Sequence, residues 1–207
     1  MTTSADRGGR AGHAAPRSER REHLVRLAGE LFAEKGFQAT TVRNIATEAG
    51  IFSGSLYHHF DSKESIADEI LSCFFDQLMA SYRTVLDEGA NPRDALAGLV
   101  RVAFGSLERH RAAITVIQKD WNYLKGLDRF AYLTKFEDEV ERMWVDVLST
   151  GREQDFFRAD LDPKITYLMI RDTVWAAVRW FRPGGRLDAD ALAGHYLGVI
   201  FDGIDRR

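Results

Sequence analysis

Thr40-Thr41-Val42-Arg43-Asn44-Ile45-Ala46-Thr47-Glu48-Ala49-Gly50-Ile51-Phe52-Ser53-Gly54-Ser55-Leu56-Tyr57-His58-His59-Phe60, continued by Asp61-Ser62-Lys63-Glu64, decides the fold of this 207-residue chain. The spacing predicts two short helices joined by a tight turn, a shape that fits the major groove of DNA. A threonine opens the first helix, because its hydroxyl accepts from N–H groups that a helix start leaves unpaired. Val42, Ile45, Ala46 and Ala49 share one face at helical spacing, and Ala46 is small where a second helix must cross closely. Gly50 stands at the turn, where a positive φ would strain a residue bearing a Cβ. Ser53 is expected to cap the second helix, and Leu56 and Phe60 return to the core. Ser55, Tyr57, His58 and His59 fill the remaining positions. Between Gln38 and Phe60 the only acid is Glu48, so the exposed surface suits a polyanion. Lys63 opens the next helix, where its charge and the free N–H groups can both meet a phosphate. Two short amphipathic helices also occur in helical proteins that never touch DNA, so the motif needs support from the rest of the chain.

Working outward, Leu24, Leu27, Ala28, Leu31 and Phe32 form the apolar stripe of a first helix over about Ser18–Lys35, which Gly36 stops. Residues 1–17 are poor in apolar side chains and read as a disordered basic arm. Arg17, Arg20 and Arg21 suit a solvated helix start, with phosphate contacts for one or two of them. Residues 18–62 then form a three-helix domain too small to stand comfortably alone, which should pack on residues 63–207. That larger part is helical in pattern: Lys63–Glu88, Pro92–Arg109, a less regular His110–Leu127, Asp128–Leu148, a loop over Asp155–Pro163, Pro163–Phe181 and Asp188–Ile204. No strand pattern of useful length occurs. The predicted fold class is all-α: a three-helix DNA-binding domain with a helix-turn-helix, fused to a larger helical ligand-binding and dimerisation domain.

The formal net charge of −3 looks wrong for a DNA binder until it is divided. Residues 1–64 hold nine Lys or Arg against eight Asp or Glu, whereas residues 65–207 hold nineteen against twenty-three. The acidity therefore lies away from the groove-facing part. Cys73 is the one cysteine, which excludes an intrachain disulfide framework; beside Phe74 and Phe75 it reads as a buried small residue. The N-terminus has no apolar signal-peptide core, and no apolar run is long enough to span a membrane. A cytoplasmic protein with no membrane partner is expected.

An all-helical enzyme, or a ligand carrier without DNA binding, is the alternative. Candidate chemistry is poor. His58 and His59 are adjacent, so on a helix they diverge by about 100° and cannot chelate one metal. Glu137, Asp138, Glu139 and Glu141 lack the Glu-x-x-His spacing of a bundle metal site. No nucleophile motif is present, and neither metal nor cofactor is expected.

The chain resembles the TetR family of bacterial transcriptional regulators. The resemblance rests on Leu31-Phe32, Gly36-Phe37, Thr40-Thr41-Val42, Ile45-Ala46, Ala49-Gly50-Ile51, Gly54-Ser55-Leu56-Tyr57-His58-His59-Phe60 and Ser62-Lys63-Glu64. It implies a homodimer whose second short helices enter the major groove of a palindromic double-stranded operator, and whose larger domains bind a small-molecule effector. Carried over to this chain, Thr41, Tyr57 and Lys63 would hold phosphates. Arg43, Ser53, Ser55 and His58 would meet base edges or nearby phosphates, and Gly54 would let the helix start approach the backbone. Arg43 could grip guanine O6 and N7, though its fork suits a phosphate equally well.

The effector must be argued from the chain itself. On a helix, Tyr167, Leu168, Arg171, Val174, Trp175 and Val178 share one stripe, which places a cation in an apolar face. Such a charge needs a partner. Either an anionic or carbonyl-bearing ligand sits on Arg171 and stacks on Trp175, or Arg171 makes an internal salt bridge to Glu137 or Asp120. Trp121, Tyr123, Phe104 and Trp144 either line the same cavity, suiting a large flat apolar ligand, or are plain core. The segments Lys119–Tyr123 and Trp175–Leu187 are similar to a narrower branch of the family, actinobacterial repressors of sterol catabolism. That likeness implies an acyl-coenzyme A thioester effector, with Arg101, Arg109, Arg111, Lys119 and Lys125 as candidates for its phosphates. Ala176, Ala177, Val178, Ala191, Ala193, Gly194, Leu197, Val199 and Ile200 suit a four-helix dimer interface, or else cover their own core.

Overall fold

The computed structural model describes residues 17–89 and 91–204, so the arm expected over residues 1–17 lies, Arg17 apart, outside the described residues. Arg17 itself begins α1 (Arg17–Lys35). The chain then turns at Gly36, whose φ is +88°. Thr41 caps α2 (Val42–Glu48): its hydroxyl accepts from the Asn44 N–H at 3.1 Å, while Asn44 Oδ1 accepts from the Thr41 N–H at 2.9 Å. Gly50 makes the following turn at φ +65°, in the left-handed region where a Cβ is strained.

α3 (Ser53–Tyr57) departs from expectation at its start. The turn closes one residue early, so Phe52 occupies the cap position and Ser53 is already helical. No side chain caps this helix. By contrast α4 (Lys63–Asp87) has a full capping box, with Ser62 Oγ accepting from the Ser65 N–H at 3.2 Å.

α5 (Pro92–Arg109) opens on Asn91, whose side chain accepts from the Asp94 N–H. The next segment, expected to be irregular, is a continuous helix, α6 (Arg111–Lys125). Its buried positions Ala113, Ile114, Val116, Ile117 and Leu124 recur at helical spacing. Polar residues between them blur the pattern in sequence, because some of those residues also face a neighbouring helix. A 3₁₀ turn (Asp128–Phe130) precedes α7 (Tyr132–Glu153), which starts later and runs further than its apolar pattern suggested. α8 (Pro163–Ala177) ends earlier than expected, giving way to turns, and α9 (Ala189–Ile204) follows. The described residues contain no strand.

One continuous core joins Phe32, Phe37, Ile45 and Leu56 of the head (α1–α3) to Phe74, Leu99 and Trp144 of the larger half. α1 lies against both α4 and α6, so the head is seated on the rest of the chain. Cys73 is exposed, not buried: α4 turns Phe74 and Phe75 inward and Cys73 outward, where Gln77 Nε2 donates to its Sγ.

Candidate DNA-binding face and effector cavity

Leu56 and Phe60 are buried, and this fixes which side of α3 faces out. Tyr57, His58, Gly54, Thr41 and Arg43 are exposed, with Ser53 and Ser55 half-buried among them. A Cβ at Gly54 would meet nothing within 4 Å, so the surface there is open. Arg43 has no ion-pair partner among the described residues. These candidate DNA contacts are therefore accessible at the surface of the head.

Two of the expected phosphate contacts, Lys63 and Thr41, and Arg21 of the helix start make bonds within the chain. Lys63 Nζ donates to the carbonyls of Phe37, Gln38 and Thr40 at 2.9, 3.2 and 3.1 Å, and lies 4.4 Å from the Phe37 ring centre. Its three donors are all used, so it pins the α1–α2 loop and offers no free N–H to a phosphate. The Thr41 hydroxyl proton goes to Asn44 Oδ1 at 2.6 Å, which closes the α2 cap. Arg21 donates to the Glu69 carboxylate at 2.5 and 3.3 Å and to the His59 carbonyl, with its guanidinium 4.1 Å above the Phe60 ring. It ties the end of α3 to α1 and α4.

In the larger half, α4, α5, α6, α7 and α8 enclose a cavity of about 320 Å³, at the low end of the range for drug-sized ligands. Trp121, Trp144, Tyr167, Arg171 and Trp175 all line it, as expected from the sequence. Phe104 does not. Its ring is buried on the far side of α5, 5.3 Å from the Tyr196 ring of α9. Tyr123 is also elsewhere, half-turned to solvent and 6.0 Å from the Phe37 ring in the head.

Arg171 makes neither of the internal salt bridges weighed for it. Its Nε and Nη2 donate at 2.9 and 2.8 Å to Asp172 Oδ1, whose side chain is 70% exposed, and its guanidinium sits 5.7 Å from the Tyr167 ring. Glu137 belongs instead to Lys125, at 2.7 Å. Burial pushes the Tyr82 and Tyr167 hydroxyls up, the latter to about 12, so both stay neutral near pH 7. Trp144 Nε1, close to the Tyr82 hydroxyl, meets no acceptor of good geometry among the described residues. A largely apolar wall thus carries Arg171 with the Asp172 and Glu137 carboxylates, the Gln118 amide, neutral tyrosine hydroxyls and an indole N–H without a good acceptor among the described residues.

Most of the cations considered for coenzyme A phosphates are already engaged. Arg101 pairs with Asp190, Arg111 donates to the Phe181 carbonyl, Lys125 pairs with Glu137, and Lys119 donates to the Ala33 and Glu34 carbonyls.

α6 serves both regions. Ile114, Ile117, Gln118 and Trp121 line the cavity, and Gln118 Nε2 donates to the Trp175 carbonyl. On another side, Lys119 holds the end of α1, and Asp120, 6% exposed, accepts from the Phe37 N–H at 2.9 Å and Gln38 Nε2 at 3.3 Å. Gln118 was missed in the sequence. Its signal was a polar residue inside the Ile114-Ile117-Trp121 stripe.

The expected dimer residues divide. Ala177, Val178, Ala193 and Leu197 are buried in their own core, whereas Ala191, Gly194 and Val199 of α9 are exposed, as is Met169 of α8. A Cβ at Gly194 or Gly198 would meet nothing within 4 Å, so this face of α9 is low and open. The described residues hold no cluster of ligands that could bind a metal ion, and no helix among them is long and apolar enough to cross a membrane.

Residues 24–70 match bacterial regulatory proteins of the tetR family, and residues 89–204 match the tetracyclin repressor-like C-terminal domain. The chain is 46% identical over 190 residues to the HTH-type transcriptional repressor KstR2 of Mycobacterium tuberculosis (strain ATCC 25618 / H37Rv), covering 92% of this chain and 95% of that protein. It is 43% identical over 188 residues to KstR2 of Rhodococcus jostii (strain RHA1), covering 91% and 92%. The solved structure of the ketosteroid transcriptional regulator KstR2 of Mycobacterium tuberculosis superposes with a TM-score of 0.89 at 45% identity, over 95% of this chain and 99% of that one.

Proposed function

This chain belongs to the tetR family of bacterial regulatory proteins and is a transcriptional repressor, not an enzyme; we propose that it binds an inverted-repeat operator as a homodimer and is released by a steroid-derived acyl thioester. The outward face of α3, together with Arg43, would lie in the major groove of each half-site. The open face of α9 and the exposed side of α8 would pair with the same elements of a second copy.

The observation that carries the effector reading is Arg171, a guanidinium on a largely apolar cavity wall whose ion pair among the described residues is to exposed Asp172, with Tyr167 beside it. A ring fragment would lie between Trp121 and Trp175, with a carbonyl or carboxylate on Arg171 and the Trp144 N–H available to a second oxygen. The name of the solved relative, a ketosteroid regulator, agrees with a flat apolar ligand. A cavity of about 320 Å³ holds the acyl body alone, so the nucleotide of a coenzyme A thioester would lie outside it. Because α6 touches both cavity and head, a ligand that shifts Trp121 or Gln118 also shifts the clamp that Lys119 and Asp120 make on α1 and Phe37. That is a route by which binding would alter the spacing of two DNA heads.

A gel-shift titration on the DNA upstream of the chain's own gene tests this reading. The complex should weaken with a slope of about −0.9 in log K per phosphate neutralised as log salt rises, and a steroid-derived thioester should dissociate it. A salt-insensitive complex would count against the DNA face, and a complex indifferent to the thioester and its free acid would count against the effector.

A further inference from the structure

Phe52 is the least covered large apolar side chain among the described residues, 87% exposed. It also occupies the cap position of α3, where no side-chain hydrogen bond is made. A serine, threonine, aspartate or asparagine there would accept from the first free N–H groups of the helix. Phenylalanine cannot, and it leaves its ring in water. The free chain bears both costs, and no contact within the described residues offsets them.

The position suggests what does. Phe52 leads into the helix that, on the reading above, enters the major groove, and the first residues of such a helix reach base edges. Its neighbours are Ser53, Gly54 and Ser55, with exposed Arg43 on the helix before and a single acid, Glu48, from Gln38 to Phe60. Serine hydroxyls bond to several bases and discriminate weakly. The apolar landmark of the groove is the C5-methyl of thymine. We propose that Phe52 reads a thymine methyl in each half-site of the operator, a specificity contact resting on the DNA-binding reading of α3.

The methyl can be removed without disturbing any hydrogen bond, by replacing thymine with deoxyuridine. The probe is a duplex that the full-length wild-type protein selects from a randomised pool, with each thymine replaced in turn and binding followed by fluorescence anisotropy. One thymine per half-site should be sensitive, losing about four-fold in affinity for one methyl and about fifteen-fold for both, as expected for a buried CH₂-sized group. Phe52→Ser should bind the parent duplex more weakly and ignore the same replacement. Because serine supplies the missing cap, its unfolding temperature should be unchanged or raised, which separates loss of contact from loss of fold. Phe52→Ala, which restores no cap, should show the same insensitivity. The proposal is overturned if no thymine is sensitive, or if either variant keeps the full wild-type sensitivity. A wild-type protein that selects no duplex would overturn the repressor reading itself, a different failure from selecting a duplex and ignoring its methyls.

Discussion

In the head, Lys63 gives hydrogen bonds to three carbonyls, and Arg21 is shared among Glu69, the His59 carbonyl and the Phe60 ring. In the larger half, Arg171 has its exposed neighbour Asp172 and one face of Tyr167, while the Trp144 N–H of the same cavity wall meets no good acceptor among the described residues. Lys63 and Arg21 differ from Arg171 in what holds them. The first two are engaged by carbonyls, a carboxylate and aromatic rings, and brace the head. Arg171 sits on a largely apolar wall with an exposed partner, where a charge is costly unless something compensates it. The difference separates a braced head from a chamber whose guanidinium is only partly matched. Asp120 joins them, as a buried carboxylate on the chamber's helix that accepts from the head's backbone.

The largest effect is expected at that joint. Asp120→Ala strands the Phe37 N–H and should cost about 2–3 kcal/mol of stability. At about 2–4 °C per kcal/mol for a chain of this size, unfolding followed by circular dichroism should shift down by about 5–10 °C. A shift under about 1 °C would mean that the head does not depend on α6. Next is Arg171→Ala, which should raise the thioester concentration needed to release DNA by about ten-fold or more, the weight of a hydrogen bond to a charged group. DNA affinity should hold, because the ion pair lost to Asp172 is exposed and worth less than about 1 kcal/mol. Normal release by this variant would make Arg171 a structural residue and erase the contrast with the head.

Lys63→Met and Arg43→Ala form a matched pair that sharpens it. Lys63→Met should lower stability by about 1–2 kcal/mol, since three carbonyls lose a charged donor, and leave the salt slope of DNA binding as it was. Arg43→Ala should do the reverse: stability intact, and the slope shallower by about one unit per protomer. A flattened slope in Lys63→Met would restore Lys63 as a phosphate contact. The smallest effect is expected from Trp175→Ala, a several-fold loss of effector response from reduced stacking surface, at about 0.5–1.5 kcal/mol.

The head was the more legible region because its signals are local. The Thr41 cap, the Gly50 turn and the buried pair Leu56 and Phe60 depend on residues within one turn of each other. Misreadings there came from choices between near neighbours: Phe52 and not Ser53 takes the cap, and Lys63 reaches back across 23 to 26 residues to carbonyls that have no signature in sequence. In the larger half, helix number and order were readable, and so was the stripe through Tyr167, Arg171 and Trp175 that lines the cavity. What periodicity cannot give is the rotation of one helix against another. Phe104 fits the apolar stripe of α5 but faces α9, and Tyr123 faces Phe37. α6 was blurred because it serves two neighbours: with one face on the cavity and another on α1, no single stripe stands out.

Native mass spectrometry of the full-length protein mixed with the duplex it selects tests the central claim most directly, because it counts chains on DNA. Two chains per duplex, or a multiple of two, are expected, with the complex lost when the thioester is added. A single chain on the duplex, or none, would contradict the placement of two α3 helices in successive major grooves.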